Sequence, residues 1–371
     1  MRVGFSGYFW QFPETGTGEY SRRLFKALGE LAPGFGLALI RLGPPERPRL
    51  KGDLGKVWFE QVGVWQFARR AGVDLVHVPY FGPPWFKLRP LVVTVHDLLM
   101  LALPGYRGSL AFRLYIWAAR RALARADRVV ADSEWTRKDI LRFTAVPADR
   151  VDVVPLGVDP DFGAGLTPER TEAVRRRYGL EGPYIFYLGG FDRRKQLDRL
   201  IRLFREVPEP WVLAVGGQPP RPGPIFPDIL GVVRAAGVEG RVRFLGPIPE
   251  EDRPALYAGA DLFVYPSVYE GFGLPPLEAM ACGTPVVCAG RTSLPEVVGE
   301  AALLVDPEDD ASLLGGILKL LKDADLRAEL RARGLERARK LTWRRTAEAT
   351  CWVYLRALGS TRSGAAVMST P

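Results

Sequence analysis

Short apolar runs alternate along the chain with longer stretches whose apolar residues recur every third or fourth position. The first kind reads as strands buried on both faces and the second as amphipathic helices. In the first half the runs are residues 3–6, 35–42, 73–78, 91–95, 129–133 and 150–155. In the second half they are 184–188, 211–215, 242–245, 262–265 and 286–287. Helical spacing covers 21–32, 57–70, 107–128, 168–179, 309–340 and 341–358, and Ser133 is a good N-cap for a helix behind it. This alternation predicts an α/β fold with parallel sheets covered by helices. The rhythm runs twice. The charged, Gly- and Pro-punctuated segment 160–183 between the two rounds predicts a hinge between two domains. Segments 43–55, 80–88 and 217–227 read as loops, and the small polar residues from 359 to 371 as a disordered tail.

Composition changes this picture little. The 371 residues suffice for two domains of ordinary size, and 47% apolar with 25% charged residues is a soluble globular composition. No apolar run approaches the ~20 residues that span a bilayer. The opening MRVGFSGYFW reads as a strand rather than a signal peptide. Three scattered cysteines, 282, 288 and 351, form no CxxC pair, which points to a reducing cytoplasm. The net charge of +9 admits nucleic acid, anionic membrane or phosphorylated small molecules as partners, or a merely arginine-rich composition. No nucleic-acid module is visible. Residues 107–128 mix Phe, Leu, Tyr, Ile and Trp with six arginines. That helix either packs on the core with snorkelling arginines or docks on an anionic membrane.

Candidate chemistry concentrates in residues 261–296. An apolar strand is followed by Glu270, two glycines, Pro275-Pro276 and Glu278. On one continuous helix the two acids would lie about 80° apart, but the glycines and prolines forbid that helix. Glu270 therefore belongs to a strand-end loop and Glu278 to the first turn of the next helix, near the positive end of its dipole. Both point to the crevice where open α/β sheets bind ligands. Gly189 and Gly190 follow another strand and lead into Arg193-Arg194-Lys195, the features of a phosphate site. Thr15-Gly16-Thr17-Gly18 lies between the first strand and a helix, a weaker anion-site pattern. The two histidines, His77 and His96, each end a strand, and Asp97 follows the second. They form no HxH or HExxH spacing, so no metal is expected. Asp159 and Asp161 read as a turn in the linker rather than a metal-binding pair.

The stretch E270-GFGLPPL-E278, with ACGTPVV and SLPEVVGEAALLVDPED behind it, closely resembles the signature of the retaining, nucleotide-sugar-dependent glycosyltransferases of family 4. GGFDRRKQLDRLI, VTVHDLLM, TGTGEY, ADSEWTRKDI and VDVVPLGVDPDF resemble further elements of that family. Three positions depart from the pattern: Glu19 stands where a basic residue is usual, and Leu156 and Gln196 each stand where Asn is usual.

The resemblance implies a GT-B architecture, two doubly wound Rossmann-like domains facing a central cleft. An acceptor domain would cover 1–163 and a donor domain 164–342, with helix 343–358 crossing back to the first. It implies that Glu270 stabilises the oxocarbenium-like transition state, that His96 contacts the transferred sugar, and that Asp97 binds the acceptor or orients His96. Arg194 and Lys195 would hold the donor diphosphate with Gly189, Gly190, Ser293 and Leu294, while Gly16 and Gly18 let the N-terminal loop close over it. Glu278 would bind the ribose, Pro247 and Ile248 the base, and Phe272, Gly273 and Leu274 would complete the donor pocket. The implied reaction moves a hexose from a nucleoside diphosphate sugar to a saccharide or lipid-linked acceptor, without cofactor or metal. The motif variants favour mannose from GDP-mannose; UDP- or ADP-glucose, or a non-catalytic sugar-nucleotide-binding protein, are the alternatives. The expected location is the cytoplasm or the inner face of a membrane.

Overall fold

The computed structural model describes residues 1–43, 52–159 and 162–359, residues 52 and 53 by their backbone alone. The first sheet consists of β1 (Arg2–Ser6), β2 (Ala38–Leu42), β3 (Leu75–Val78), β4 (Leu91–Val95), β5 (Arg128–Ala131) and β6 (Val151–Val153). Its order is β2-β1-β3-β4-β5-β6, and every neighbouring pair is parallel. The second sheet consists of β7 (Tyr184–Leu188), β8 (Val212–Gly216), β9 (Val242–Phe244), β10 (Leu262–Tyr265), β11 (Val286–Ala289) and β12 (Leu303–Val305). It runs β12-β11-β10-β7-β8-β9, again all parallel. Helices cover both faces, so every residue of β4 and of β10 is buried, which is why these strands read as unbroken apolar runs.

This order decides where ligands go. The direction of winding reverses between β1 and β3 in the first sheet and between β7 and β10 in the second. Crevices open beyond the carboxyl ends of strands at such reversals. The loops there begin at Gly7 and Pro79 in one half, and at Gly189 and Pro266 in the other.

Several boundaries differ from the sequence reading. The helix expected over 107–128 is Leu110–Leu123, because Ser109 caps it and Gly108, at φ 63°, ends the preceding turn. Phe35 belongs to a 3-10 turn ahead of β2. Residues 309–340 form two helices, Asp310–Lys322 and Ala324–Lys340, since Asp323 caps the second by accepting from Leu326 N–H. β12 has no counterpart in the sequence reading; it is a three-residue edge strand, only one residue of which is buried. Of the loop expected at 43–55, residues 44–51 lie outside the described residues, and Gly52–Trp58 is helical. Pro160, Asp161 and the tail from 360 also lie outside them.

The chain passes between the halves twice, and the two passages pair. Val158 bridges Thr342, and a Cβ on Gly157 would overlap the Thr342 backbone. The final helix, Trp343–Ala357, then packs along the helix Gly16–Leu31 of the first half. Tyr354 ties the same final helix to β3, its hydroxyl 2.7 Å from His77 Nδ1.

Candidate active site

Gly189 and Gly190 leave β7 and a 3-10 turn, Arg193–Lys195, follows. Gln196 closes it with φ 54°. That left-handed conformation suits Asn best among residues with a side chain, a physical reason for the usual Asn at this position. The turn aims Arg194 and Lys195 at the loop after β10. Lys195 Nζ lies 2.5 Å from Glu270 Oε1 and 2.6 Å from the Tyr265 hydroxyl. Arg194 Nη1 donates to Glu270 Oε1 at 3.0 Å and to the Tyr269 carbonyl at 2.8 Å. Tyr265 is the last residue of β10, and its hydroxyl is 3.2 Å from the same carboxylate oxygen. Burial pushes the Glu270 carboxyl up, but Lys195 and Arg194 outweigh it and hold the pKa at about 2. Burial lowers Lys195 against the pull of Glu270. A buried, ionised carboxylate therefore stands between two cations at the reversal of the second sheet.

The first half closes directly on this cluster. Tyr106 donates to Asp192 Oδ1 at 2.6 Å and accepts from Arg194 N–H at 3.2 Å. Tyr269 reaches the other way and donates to Asp139 Oδ2 at 2.6 Å. Gly271 lies on the His96 carbonyl so closely that a Cβ would overlap it. Ser133 and Thr136, in the capped first turn of the helix Glu134–Phe143, donate to the Gly271 carbonyl at 2.6 and 3.0 Å. Glu296 spans the cleft as well, accepting from the N–H groups of Glu134 and Trp135, each at 3.0 Å. An acid on the N-terminal end of a helix is favourably placed.

His96 sits at the end of β4, with Nδ1 2.7 Å from Asp132 Oδ2 and Nε2 3.2 Å from the Pro79 carbonyl. Burial lowers its pKa, but Asp132 outweighs this and raises it. Asp132, absent from the sequence reading, is the carboxylate paired with His96. Asp97 turns instead to its own backbone and accepts from Leu99 N–H at 3.1 Å. The signal for Asp132 was available, since it too follows a parallel strand, but only strand order shows that β4 and β5 are neighbours.

Glu278 lies in the second turn of the helix Leu274–Ala281 rather than the first, because the helix starts at Leu274, before the prolines. Dipole effects fade beyond the first turn, and what holds Glu278 is the Tyr257 hydroxyl at 2.9 Å. Burial, then the nearby Glu19 carboxylate, push its pKa up against Arg253 and Arg23. Glu19 is itself bound by Arg23 Nε at 3.1 Å and by Arg253 Nη1 at 3.3 Å. Arg23 also pairs with Asp159 and with Glu250, so arginines from both halves meet acids from both halves. Glu19, Arg23, Leu274, Glu278 and Trp343 line a gap too narrow to hold a water molecule.

The remaining expected residues divide. Gly16 and Gly18 belong to the first turn of a helix that Thr15 caps, not to a loop. Gly16 is exposed with open space around it, whereas a Cβ on Gly18 would overlap the Phe12 carbonyl, so close approach rather than mobility requires that glycine. Ser293 donates to the carbonyls of Glu270 and Phe272 at 2.9 and 2.8 Å, which shapes the loop from inside. Leu294 spends its N–H on the Arg291 carbonyl at 3.2 Å. Gly273 needs its φ of 109°, and Leu294 lies against it. Pro247 and Ile248 sit beyond β9, with Ile248 against Gly216 at the end of β8.

Comparison with known proteins now bears on this geometry. Residues 18–162 match the model of Glycosyltransferase Family 4, and residues 171–338 that of Glycosyl transferases group 1. O-antigen chain mannosyltransferase B of Escherichia coli is 35% identical over 284 residues, which are 74% of this chain and 73% of that protein. The chain is a family 4 glycosyltransferase. A second relative of this glycosyltransferase, D-inositol 3-phosphate glycosyltransferase of Salinispora tropica, is 33% identical and covers 90% of this chain and 75% of its own. Among solved structures, sucrose-phosphate synthase of Thermosynechococcus elongatus superposes with a TM-score of 0.79 over 97% of this chain and 100% of that one. At 22% identity that likeness is one of fold, and the fold is GT-B. No helix among the described residues is long and apolar enough to cross a membrane.

Proposed function

We propose that this glycosyltransferase moves mannose from GDP-mannose to a saccharide or lipid-linked saccharide, with retention at the anomeric carbon. The observation that carries the reading is the cluster of Arg194, Lys195 and Glu270 at the reversal of the second sheet. A buried lysine and a half-buried arginine there match a diphosphate and take the place of a metal. The mannosyltransferase relative supports the sugar.

In the proposed step, the bond from the anomeric carbon to the diphosphate oxygen breaks while the acceptor oxygen attacks from the same face. The acceptor proton passes to a diphosphate oxygen, and Arg194 and Lys195 neutralise the charge that develops there. Glu270, ionised near and above neutral pH, cannot donate a proton. It stabilises the positive charge on the sugar ring electrostatically. His96, held by Asp132, borders the sugar, and Glu278 takes the ribose hydroxyls.

Thermal-shift measurements with GDP, UDP, ADP and their sugar conjugates, with and without a chelator, test the donor. A ligand raises the midpoint only by preferring the folded state. A selective, chelator-insensitive shift with GDP or GDP-mannose is expected. A shift confined to UDP or ADP overturns the donor, and turnover within a few-fold of wild type in Arg194→Ala or Lys195→Ala overturns the diphosphate assignment.

A further inference from the structure

The helical stretch that leads into β3 is not α-helical throughout. Gly52–Trp58 and Val64–Ala71 are α-helical, but Phe59–Gly63 between them is a π-helical turn, closed by the Val64 N–H on the Phe59 carbonyl. Such turns are rare and concentrate at functional sites. Glu60 lies in this turn and is 2% exposed. Its Oε2 accepts from the Tyr115 hydroxyl at 3.0 Å. Its Oε1 has no hydrogen-bond partner among the described residues. Lys56, one turn earlier, stands 3.7 Å from that oxygen, beyond hydrogen-bond reach. Gly82 closes over the same oxygen and the Tyr80 ring, where a Cβ would overlap both. A buried acid left half satisfied lowers stability. Glutamine would fill the same volume without the charge, so packing does not account for an acid here.

Lys56 is the part of this cluster that reaches the surface. Its side chain is 29% exposed, and Nζ stands 5.8, 5.9 and 5.4 Å from the ring centroids of Phe9, Tyr80 and Tyr115. Phe9 follows β1 and Tyr80 follows β3, so this cage sits at the reversal of the first sheet. That is the counterpart of the place Glu270 holds in the second sheet, and the crevice there is where ligands bind. Pro79, beside Tyr80, has its carbonyl 3.2 Å from His96 Nε2, so the cage adjoins the cleft. Aromatic faces flank it: Phe12 against Phe9 and Phe112 against Tyr115, 38% and 37% exposed.

We propose that Lys56 binds the acceptor through hydroxyls of a neutral sugar ring, and that Glu60 and Tyr115 are positioning residues that set its ammonium at the cleft. The ammonium donates to neighbouring hydroxyls while the aromatic faces pack on the C–H faces of the ring. Apolar walls with a few placed polar groups are what small-molecule sites show. With Glu60 ionised the pair carries no net charge, which suits hydroxyls rather than a phosphate or a carboxylate. The π-helical turn and the half-satisfied acid are then the stability given up to hold Lys56 in place. The inference rests on the saccharide acceptor proposed above and is independent of the donor.

Glycosyl transfer to octyl α-mannoside, a neutral sugar on an apolar chain, tests it with the nucleotide sugar that raises the thermal midpoint. Lys56→Met keeps the stem between the rings and removes the charge. It is expected to raise KM for octyl α-mannoside by about tenfold or more, the scale of one lost charge-assisted hydrogen bond. Its kcat and its nucleotide-sugar thermal shift should stay those of wild type, as for a group that only binds. Lys56→Arg should recover part of the loss. Glu60→Gln should raise the same KM, and Glu60→Gln/Lys56→Met no further than Lys56→Met alone, because Glu60 acts through Lys56. Glu60→Gln, which removes a buried charge, keeps the comparison open should Lys56→Met misfold. An unchanged KM in Lys56→Met, or no saturation of the wild type by octyl α-mannoside, overturns the proposal. So does inorganic phosphate that competes with octyl α-mannoside in the wild type but not in Lys56→Met, which would assign the site to an anion. Additive losses in the double variant overturn the role of Glu60. An absent nucleotide-sugar shift in the wild type overturns the donor reading instead, and binding of octyl α-mannoside by saturation-transfer NMR then carries the same comparison of variants.

Discussion

Glu270 and Glu60 are both buried acids, yet their surroundings push them in opposite directions. Lys195 and Arg194 hold the Glu270 carboxyl at about 2 despite its burial. Its contribution to stability is therefore present above the unfolded value of about 4.3 and is lost as pH falls towards 2. Glu60 is pushed up to about 7 by burial, against weaker help from Lys56 and the Tyr115 hydroxyl. The folded protein thus keeps the Glu60 proton where the unfolded chain releases it, and stability falls as pH rises from about 4.3 to 7. Glu60→Gln keeps an acceptor for Tyr115, 3.0 Å away, and removes the buried charge. It is expected to stabilise the protein by on the order of 2 kcal/mol at pH 8 and by little at pH 5, read from denaturant midpoints at both. At Glu270 the same change is a test of chemistry. Glu270→Gln should lower kcat by about two orders of magnitude or more, the scale of losing one well-placed electrostatic group, while GDP still raises the thermal midpoint. A kcat within tenfold of wild type removes Glu270 from the reaction.

Among the elements, the loop after β10 decides most. Its glycines do different work: Gly273 supplies a left-handed φ, and Gly271 supplies closeness to His96. Gly271→Ala places a methyl on a backbone carbonyl of the other half, where no side-chain movement relieves the overlap. The expected result is loss of kcat/KM by tenfold or more (about 1.4 kcal/mol), with a thermal midpoint that stays close to wild type. A large fall in the midpoint would show that Gly271 serves folding instead. The sequence reading found this loop and its helix, and placed Ser133 correctly as the cap of the helix opposite. It put Glu278 in the wrong turn, since proline tolerance in the first turn locates a helix start only to within a residue or two. It missed β12, whose Leu303-Leu304-Val305 run is too short, and too exposed at a sheet edge, to stand out from a loop.

At the scale of the whole molecule, the halves are held by charged groups as well as by the final helix. Arg23 joins Glu19, Asp159 and Glu250, and Arg253 joins Glu19. The gap they border has no room for a water molecule, whereas ligand sites span about 300 Å³ or more. On the donor site proposed above, entry to Glu278 requires the halves to part and this network to exchange partners. Pairs at partly exposed sites are screened by salt. Arg23→Ala is expected to enlarge the radius of gyration of the free protein in small-angle scattering, and high salt to do the same to the wild type. Identical scattering curves for the variant and wild type would leave the final helix as what sets the closure.

The sequence alone determined the alternation of strands and helices, the two rounds of it, and the motif residues at strand ends. Each follows from local chemistry: apolar periodicity, glycine where the chain turns, proline where an N–H is dispensable. Which strand ends become neighbours was beyond it, because strand order depends on crossovers that leave no mark in local periodicity. Thus Glu270 was legible as a candidate residue, but its contacts with Lys195 and Arg194 follow from β7 lying beside β10. His96 was legible, but its pairing with Asp132 follows from β4 lying beside β5. Glu19 showed in the sequence as a departure from a pattern. Only the closing of one half on the other set it near Glu278 and between two arginines, where long-range packing decides its electrostatics.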